Sequence, residues 1–288
     1  MSRRDIAEKE EIIRWQEKLI KRSYTRNLQK MKMSELIGNA QHLHSLEIST
    51  GDGLLTKSLR ELGGSWSLIG VNNKAASSLS YYFEQAVPAY ENNELPFPDS
   101  HFDLLILSHS LAQVNDPHAF VKECHRIIKD DGWVIISEQR KVPFNICTLC
   151  NTLSSMPHPP KYNTAELYQI LKDGFDVPET ISYSNSFVEL WLLGVYNLIQ
   201  KIHELPLWLV TDKPKNETLF KYRKIHNLLT LLSPLTALFA LFQFFPKHHI
   251  LLKSRRRRWS PRKQPKLIDG RSIAEATINT RIGSAAPF

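Results

Sequence analysis

Cysteine is scarce in this chain, with Cys124, Cys147 and Cys150 alone among 288 residues. An odd, small number excludes a disulfide scaffold and points to a reducing, cytoplasmic setting. The opening residues, MSRRDIAEKEE, have no apolar core of the secretion-signal kind and too many acids for a transit peptide. With 11 glycines and 16 prolines, the chain is neither collagen-like nor a low-complexity linker. A surplus of positive charge over the body is missing too. The net charge is +8, and the eight cations Lys253, Arg255, Arg256, Arg257, Arg258, Arg262, Lys263 and Lys266 stand together without an acid between them. The remainder is neutral, which argues against a broad nucleic-acid surface and leaves a local contact of this run with RNA or anionic lipid.

What is present is ordinary globular composition, 42% apolar and 23% charged. Residues 1–36 read as amphipathic helices, because Ile12, Ile13, Trp15, Leu19 and Ile20 recur among charges at helical spacing. From Gln41 to Ser137 short apolar runs alternate with helical stretches. The spacing predicts strands at 42–48, 66–71, 86–91, 102–108 and 133–137. It predicts helices at 53–62, 74–83 and from Asp116-Pro117 to Ile128. Continuous apolar strands separated by helices imply a parallel sheet covered on both faces, so the expected fold is α/β, doubly wound. A helix at 164–171, a strand at 177–187, an apolar stretch at 188–246 and a last strand at 248–253 follow. The domain then spans 37–256, and 257–288 reads as a basic, disordered tail.

The most informative constellation is Leu46-Glu47-Ile48-Ser49-Thr50-Gly51-Asp52-Gly53, where the first strand becomes the first helix. Glycines at such a turn allow a ligand to approach the backbone, and the helix start offers free N–H groups. Asn72 ends the second strand about 20 residues beyond Gly51, where a side chain reaches a ribose in folds of this kind. Glu91 ends the third predicted strand, and Ser108-His109-Ser110 ends the fourth.

The order LEISTGDG, IGVN, ELPFPDSHFDLLILSHSLAQVNDPHAF and ECHRIIKDDGWVIIS resembles the class I S-adenosylmethionine-dependent methyltransferases. Within them it is similar to the type 11 branch of ubiquinone and menaquinone methyltransferases and to a proteobacterial group of methyltransferase-like proteins. The resemblance covers residues 43–138, with 248–256 similar to the family's last strand. It implies a Rossmann-like, mostly parallel seven-stranded sheet with N-terminal helices, a helical insertion before the last strand, and S-adenosyl-L-methionine as cofactor. It implies that Glu47 lies near the amino-acid part of the cofactor, that Ser49, Gly51 and Gly53 form its loop with Ser108 nearby, that Asn72 meets the ribose and that Glu91 meets the adenine amino group. Ser49 stands where the family has its first glycine, and Asn72 where it has an acid. Each such change weakens a hydrogen-bonding position by about 1–3 kcal/mol.

Methyl transfer from a sulfonium is an in-line displacement in which positioning and water exclusion suffice for much of the rate. His109, at the carboxyl end of the fourth strand, is the candidate general base. Cys147-Thr148-Leu149-Cys150 lacks a second ligand pair and His248-His249 point to opposite faces of a strand, so no metal is expected. Leu228–Phe245 is 18 residues without a charge, at the lower limit of a membrane span. Return of the chain to the sheet at 248–253 would forbid a single crossing. A buried helical layer, a lid over the crevice, and an amphipathic element (within 188–258) on the membrane surface are the open alternatives. The leading expectation is methyl transfer to a small acceptor, lipophilic if the insertion is a lid. A degenerate fold serving as a binding or regulatory module is the alternative. An RNA methyltransferase ranks third, because no Asn-Pro-Pro-Tyr follows the fourth strand and no RNA-binding domain is recognisable.

Overall fold

In the computed structural model, the described residues are 10–141, 161–188 and 246–257 apart from a few positions, with scattered positions between 191 and 241. Cys147, Cys150, most of the 188–246 insertion and the 258–288 tail lie outside them.

The elements run α1 (Tyr24–Ile37), β1 (His44–Ser49), α2 (Gly53–Arg60), β2 (Ser65–Gly70), α3 (Asn73–Phe83), β3 (Phe102–Ser108), α4 (Pro117–Ile127), β4 (Ile128–Gln139), α5 (Thr164–Leu171), β5 (Phe175–Asn185) and β6 (Lys247–Arg256). Six strands form one sheet in the order β2-β1-β3-β4-β6-β5. The first four pair in parallel, while β6 is antiparallel to both β4 and β5. The sequence therefore turns back between β1 and β3, whose last residues, Ser49 and Ser108, are direct partners. That reversal opens a crevice at the carboxyl ends of the strands, where open α/β sheets take ligands.

Alternation along the strands explains the two cores. Leu105 and Leu107 of β3 join Leu46, Ile48, Val134 and Ile136 against Phe120, Val121, Cys124 and Ile127 of α4 and Leu167, Ile170 and Leu171 of α5. Leu104 and Ile106 face the other way, against Met33 and Leu36 of α1 and Leu55 and Leu59 of α2. The helix starts follow local chemistry. Asp116 accepts from the N–H groups of His118 and Ala119 (3.0 Å each) with Pro117 at the first helical position, and Asn163 with Glu166 forms a capping box on α5.

The expected strand at 86–91 is reduced to one parallel bridge, Gly70 to Ala89, in which Gly70 N–H donates to Pro88 O (2.9 Å) and Tyr90 N–H to Gly70 O (2.8 Å). Pro88 has no N–H to offer, so the ladder stops there, and among the described residues the sheet has six strands; the seventh that the resemblance implies is not confirmed. β4 begins at Ile128 and runs through Asp130-Asp131-Gly132, ahead of the strand expected at 133–137. Asp131 takes a positive φ of 66° within it, beside a register shift in β3 between Phe102 and Leu104. Because β6 returns to the sheet between β4 and β5, a single bilayer crossing between β5 and β6 is topologically excluded. Among the described residues no helix is long and apolar enough to cross a membrane.

Candidate active site

The β1–α2 turn is built around Gly51, whose φ of 109° is closed to most side chains. Ser49 is fully buried, and its Oγ accepts from Gly51 N–H at 3.3 Å. The hydroxyl that replaces the family's glycine is thus folded back into the turn. Gly53 has a different reason to be glycine. A Cβ there would lie 2.7 Å from the Tyr82 ring of α3, so packing between the two helices demands it. On the β3 side Ser108 is buried, and Ser110 Oγ donates to Ile48 O at 2.6 Å, tying the loop after β3 to the end of β1.

Glu47 lies one residue from the turn's start, on the α2 side of β1, fully buried. Neither carboxylate oxygen has a hydrogen-bond partner among the described residues. Burial pushes its pKa up to about 7, partly offset by the nearby side chains of Thr56, Arg60 and Ser49. A buried carboxylate with unspent acceptors beneath a glycine turn suits a ligand that brings a cation or hydrogen-bond donors.

Asn72 caps α3, accepting from Ala75 N–H at 2.9 Å, and its amide donates to Gln113 Oε1 at 3.0 Å. Since Asn72 ends the β2 segment and Gln113 follows β3, this bond spans the end of β1. The side chain that the resemblance assigns to the ribose is occupied on both polar atoms. Glu91 is exposed at the rim, in an antiparallel bridge with Glu94.

His109 takes a positive φ of 54°, anchored by its N–H donating to Ser137 O (2.8 Å). Its Nε2 is 3.3 Å from Gln29 Nε2 of α1, and the same amide donates to Ser137 Oγ at 2.9 Å. Its ring lies edge-on to His249, which stacks on Tyr183. Glu138, at the end of β4, accepts from Leu111 N–H at 2.9 Å and so holds the loop that carries His109 and Gln113. Burial pushes its pKa up to about 8, against the pull of the Leu111 and Ala112 N–H groups and Lys161.

The structure gathers Glu47, Ser49, Gly51, Ser108 and His109 at one end of the sheet. Gln29, Gln113 and Glu138 were not singled out from sequence. The one signal was an acid terminating an apolar strand, WVIISE. Among the described residues no group of three side chains is placed to hold a metal.

Comparison with known proteins agrees with this geometry. Residues 46–136 match the family model of a methyltransferase domain. A ubiquinone biosynthesis O-methyltransferase of Nitrosomonas europaea is 21% identical over 117 residues, covering 38% of this chain and 50% of that protein. An uncharacterized Escherichia coli protein, YafS, is 40% identical over 50 residues, 17% of this chain and 21% of that protein. The chain thus spans half or less of the curated relatives it matches. Among solved structures, a candidate methyltransferase of Bacillus halodurans aligns with a TM-score of 0.51 at 16% identity, over 78% of this chain and 97% of that one. The [4+2]-cyclase SpnF aligns equally well, with a TM-score of 0.51 at 13% identity over 80% of each chain. These two likenesses concern the fold alone. With the glycine turn and the crevice beside it, the match marks residues 46–136 as a methyltransferase domain, of the kind that the class I S-adenosylmethionine-dependent enzymes carry.

Proposed function

We propose that this protein transfers a methyl group to a hydroxyl-bearing small molecule, with S-adenosylmethionine as donor. The observation that carries the reading is Glu47, a fully buried carboxylate at the end of β1 beside the Gly51 turn, whose oxygens have no close hydrogen-bond partner among the described residues. The residues fit the cofactor. Glu47 would meet its cationic amino-acid end, the Gly51 turn its backbone, and Ser49 and Ser108 the floor between β1 and β3. When bound, the cofactor supplies an electrophilic methyl on a positively charged sulfur. The chain's share of the chemistry is then positioning, exclusion of water, and removal of the acceptor's proton by His109 Nε2.

Apolar residues in the 188–246 insertion favour a lipophilic acceptor. Leu231, Leu238 and Leu241 expose 75%, 51% and 72% of their surface, which also suits peripheral contact with a lipid surface. A second reading, a methyltransferase fold used as a binding module, draws on Asn72, whose carbonyl and amide are both engaged within the protein.

Calorimetric titration of the full chain with S-adenosylmethionine and S-adenosylhomocysteine separates the two. Saturable binding that vanishes in Gly51→Arg, with the thermal melt of that variant still cooperative, supports the enzyme. No heat at millimolar ligand and no shift in melting temperature would favour the binding module.

A further inference from the structure

Gln29 is a polar residue on the sheet-facing side of α1, 2% exposed, inserted over the carboxyl ends of β3 and β4. An amide nitrogen only donates hydrogen bonds, so its two hydrogens go to Ser137 Oγ (2.9 Å) and His109 Nε2 (3.3 Å). With the amide in this orientation His109 Nε2 accepts, which corresponds to the neutral Nδ1–H tautomer with its basic lone pair towards Gln29. We propose that Gln29 is a positioning residue that holds His109 ready as a base, and that the acceptor's hydroxyl replaces the Gln29 amide on Nε2 as the first half of α1 withdraws. The proposal rests on the methyl-transfer reading for the purpose of the site but not for the tautomer.

The two halves of α1 are held differently. Met33 and Leu36 are buried in the α1–α2 core, and Lys253 Nζ donates to Leu36 O at 2.8 Å. The first half meets the sheet through polar groups, among them Thr25 with Ser184 (3.5 Å), Arg26 beside Tyr183 and Gln29 with His109 and Ser137, and through the partly buried Leu28. A hydroxyl can exchange for an amide at little cost, whereas an apolar anchor cannot be substituted in this way. Around His109 stand Gln29 on α1, Ser137 on β4, His249 on β6 with Tyr183 of β5 stacked on it, and Glu138, which holds the same loop; Arg26, one turn before Gln29, acts on Tyr183. The 3.3 Å separation is the longer of the two amide bonds, as expected of the one that yields.

The test is nitrogen NMR of the full chain with 15N-labelled histidine, in the wild type, Gln29→Leu and Gln29→Glu. The wild type is expected to show a pyridine-like Nε2 on His109. Gln29→Glu should raise the midpoint of that histidine's titration by about 1 pH unit, because a carboxylate favours the imidazolium. Gln29→Leu, similar in size and without a donor, should raise it less. With phenol as a hydroxyl probe, the Nε2 resonance should move at severalfold lower concentration in Gln29→Leu than in the wild type. An Nε2–H tautomer in the wild type, or the same titration midpoint in all three proteins, overturns the proposal. If the tautomer and midpoints come out as expected while S-adenosylmethionine fails to bind, the methyl-transfer reading fails and the Gln29–His109 link stands.

Discussion

The two ends of the sheet are made from similar residue types and use them in opposite ways. At the amino ends of the parallel strands, nearly every charge is spent on another. Arg126 donates to Glu123, Asp99 (2.8 Å), Phe97 O (2.8 Å) and Leu95 O (3.0 Å). Lys129 pairs with Asp103, whose other oxygen accepts from His44 N–H. Arg255, Arg256 and Arg257 of the basic run pair with Asp131, Asp130 and Asp176. At the carboxyl ends, two carboxyls, Glu47 and Glu138, are buried with no ion pair among the described residues, Arg60 and Lys161 acting on them only from a distance, and the polar side chains lie around a crevice. One end is electrostatically closed and holds the loops and the last strand in place. The other keeps unspent hydrogen-bonding capacity, at a cost in stability, as a ligand site does.

The sharpest way to break that comparison is pH. Glu47 and Glu138 have folded pKa values near 7 and 8, against an ordinary 4.5. The folded state therefore holds their protons more tightly than the unfolded chain does, so both groups favour folding least when ionised. Stability should fall as pH rises from about 5 through 7, by at most about 1.4 kcal/mol per pH unit for each group. Above pH 8 their contribution is level. Urea denaturation at a series of pH values should show this slope, and Glu138→Gln should roughly halve it. An unchanged slope in that variant would mean that Glu138 is not the strained carboxyl described here.

At the opposite end the expected effect is smaller and has another form. Arg126→Ala leaves Glu123 half-buried without its cation and frees the carbonyls of Leu95 and Phe97, at a cost of about 2 kcal/mol. A fall of about 6 °C in melting temperature follows for a chain of this size. Affinity for S-adenosylmethionine, measured at a temperature where the variant is still folded, should not change. A large loss of affinity would show that the two ends are coupled through β3.

How much of this was legible in sequence follows the same division. β3 and α5 fall on the predicted residues, because FDLLILS is an apolar run bounded by polar residues and Asn163 with Glu166 writes a capping box into the chain. The LPFPD and RIIKDDG stretches, which carry the family resemblance most clearly, turn out to hold the paired end. Arg126 clamps the first, and Lys129 in the second neutralises Asp103. Pro88 ended the third strand by removing one donor, an effect that outweighed the β-forming residues beside it. Gln29, Gln113 and Glu138 were invisible because their meaning depends on which element crosses above them. Gln29 is one polar residue among many in an amphipathic helix until α1 is laid over β3 and β4.

Asn72 sharpens the comparison from the ligand side. An aspartate at this position can keep one oxygen on Ala75 N–H as the cap and turn the other, now a charged acceptor, towards a ribose hydroxyl. Asn72→Asp should raise affinity for S-adenosylmethionine about tenfold, equivalent to about 1.4 kcal/mol, with thermal stability equal or slightly higher. Calorimetric titration measures it, and a weaker affinity would show that the Asn72–Gln113 bond supports the bound state instead of competing with it.

The smallest effect is expected from Asp176→Asn. Arg257 loses a charged partner, yet the pair is largely exposed, with 42% and 59% of the two side chains accessible. Arg257 also keeps its bond to Lys172 O (2.8 Å), and its own N–H still donates to Gly174 O (2.9 Å). Solvent screening limits an exposed pair of this kind to about 0.5 kcal/mol or less. Urea denaturation at low and high salt distinguishes a weak screened pair from a structural one. If the loss reaches 2 kcal/mol and survives in 1 M salt, the basic run is a working part of the sheet's closed end, and its arginines are unavailable for RNA or lipid. If the loss is within error at both salts, Arg257 can leave Asp176 at almost no cost, and the domain's last basic residues remain free to serve an anionic partner.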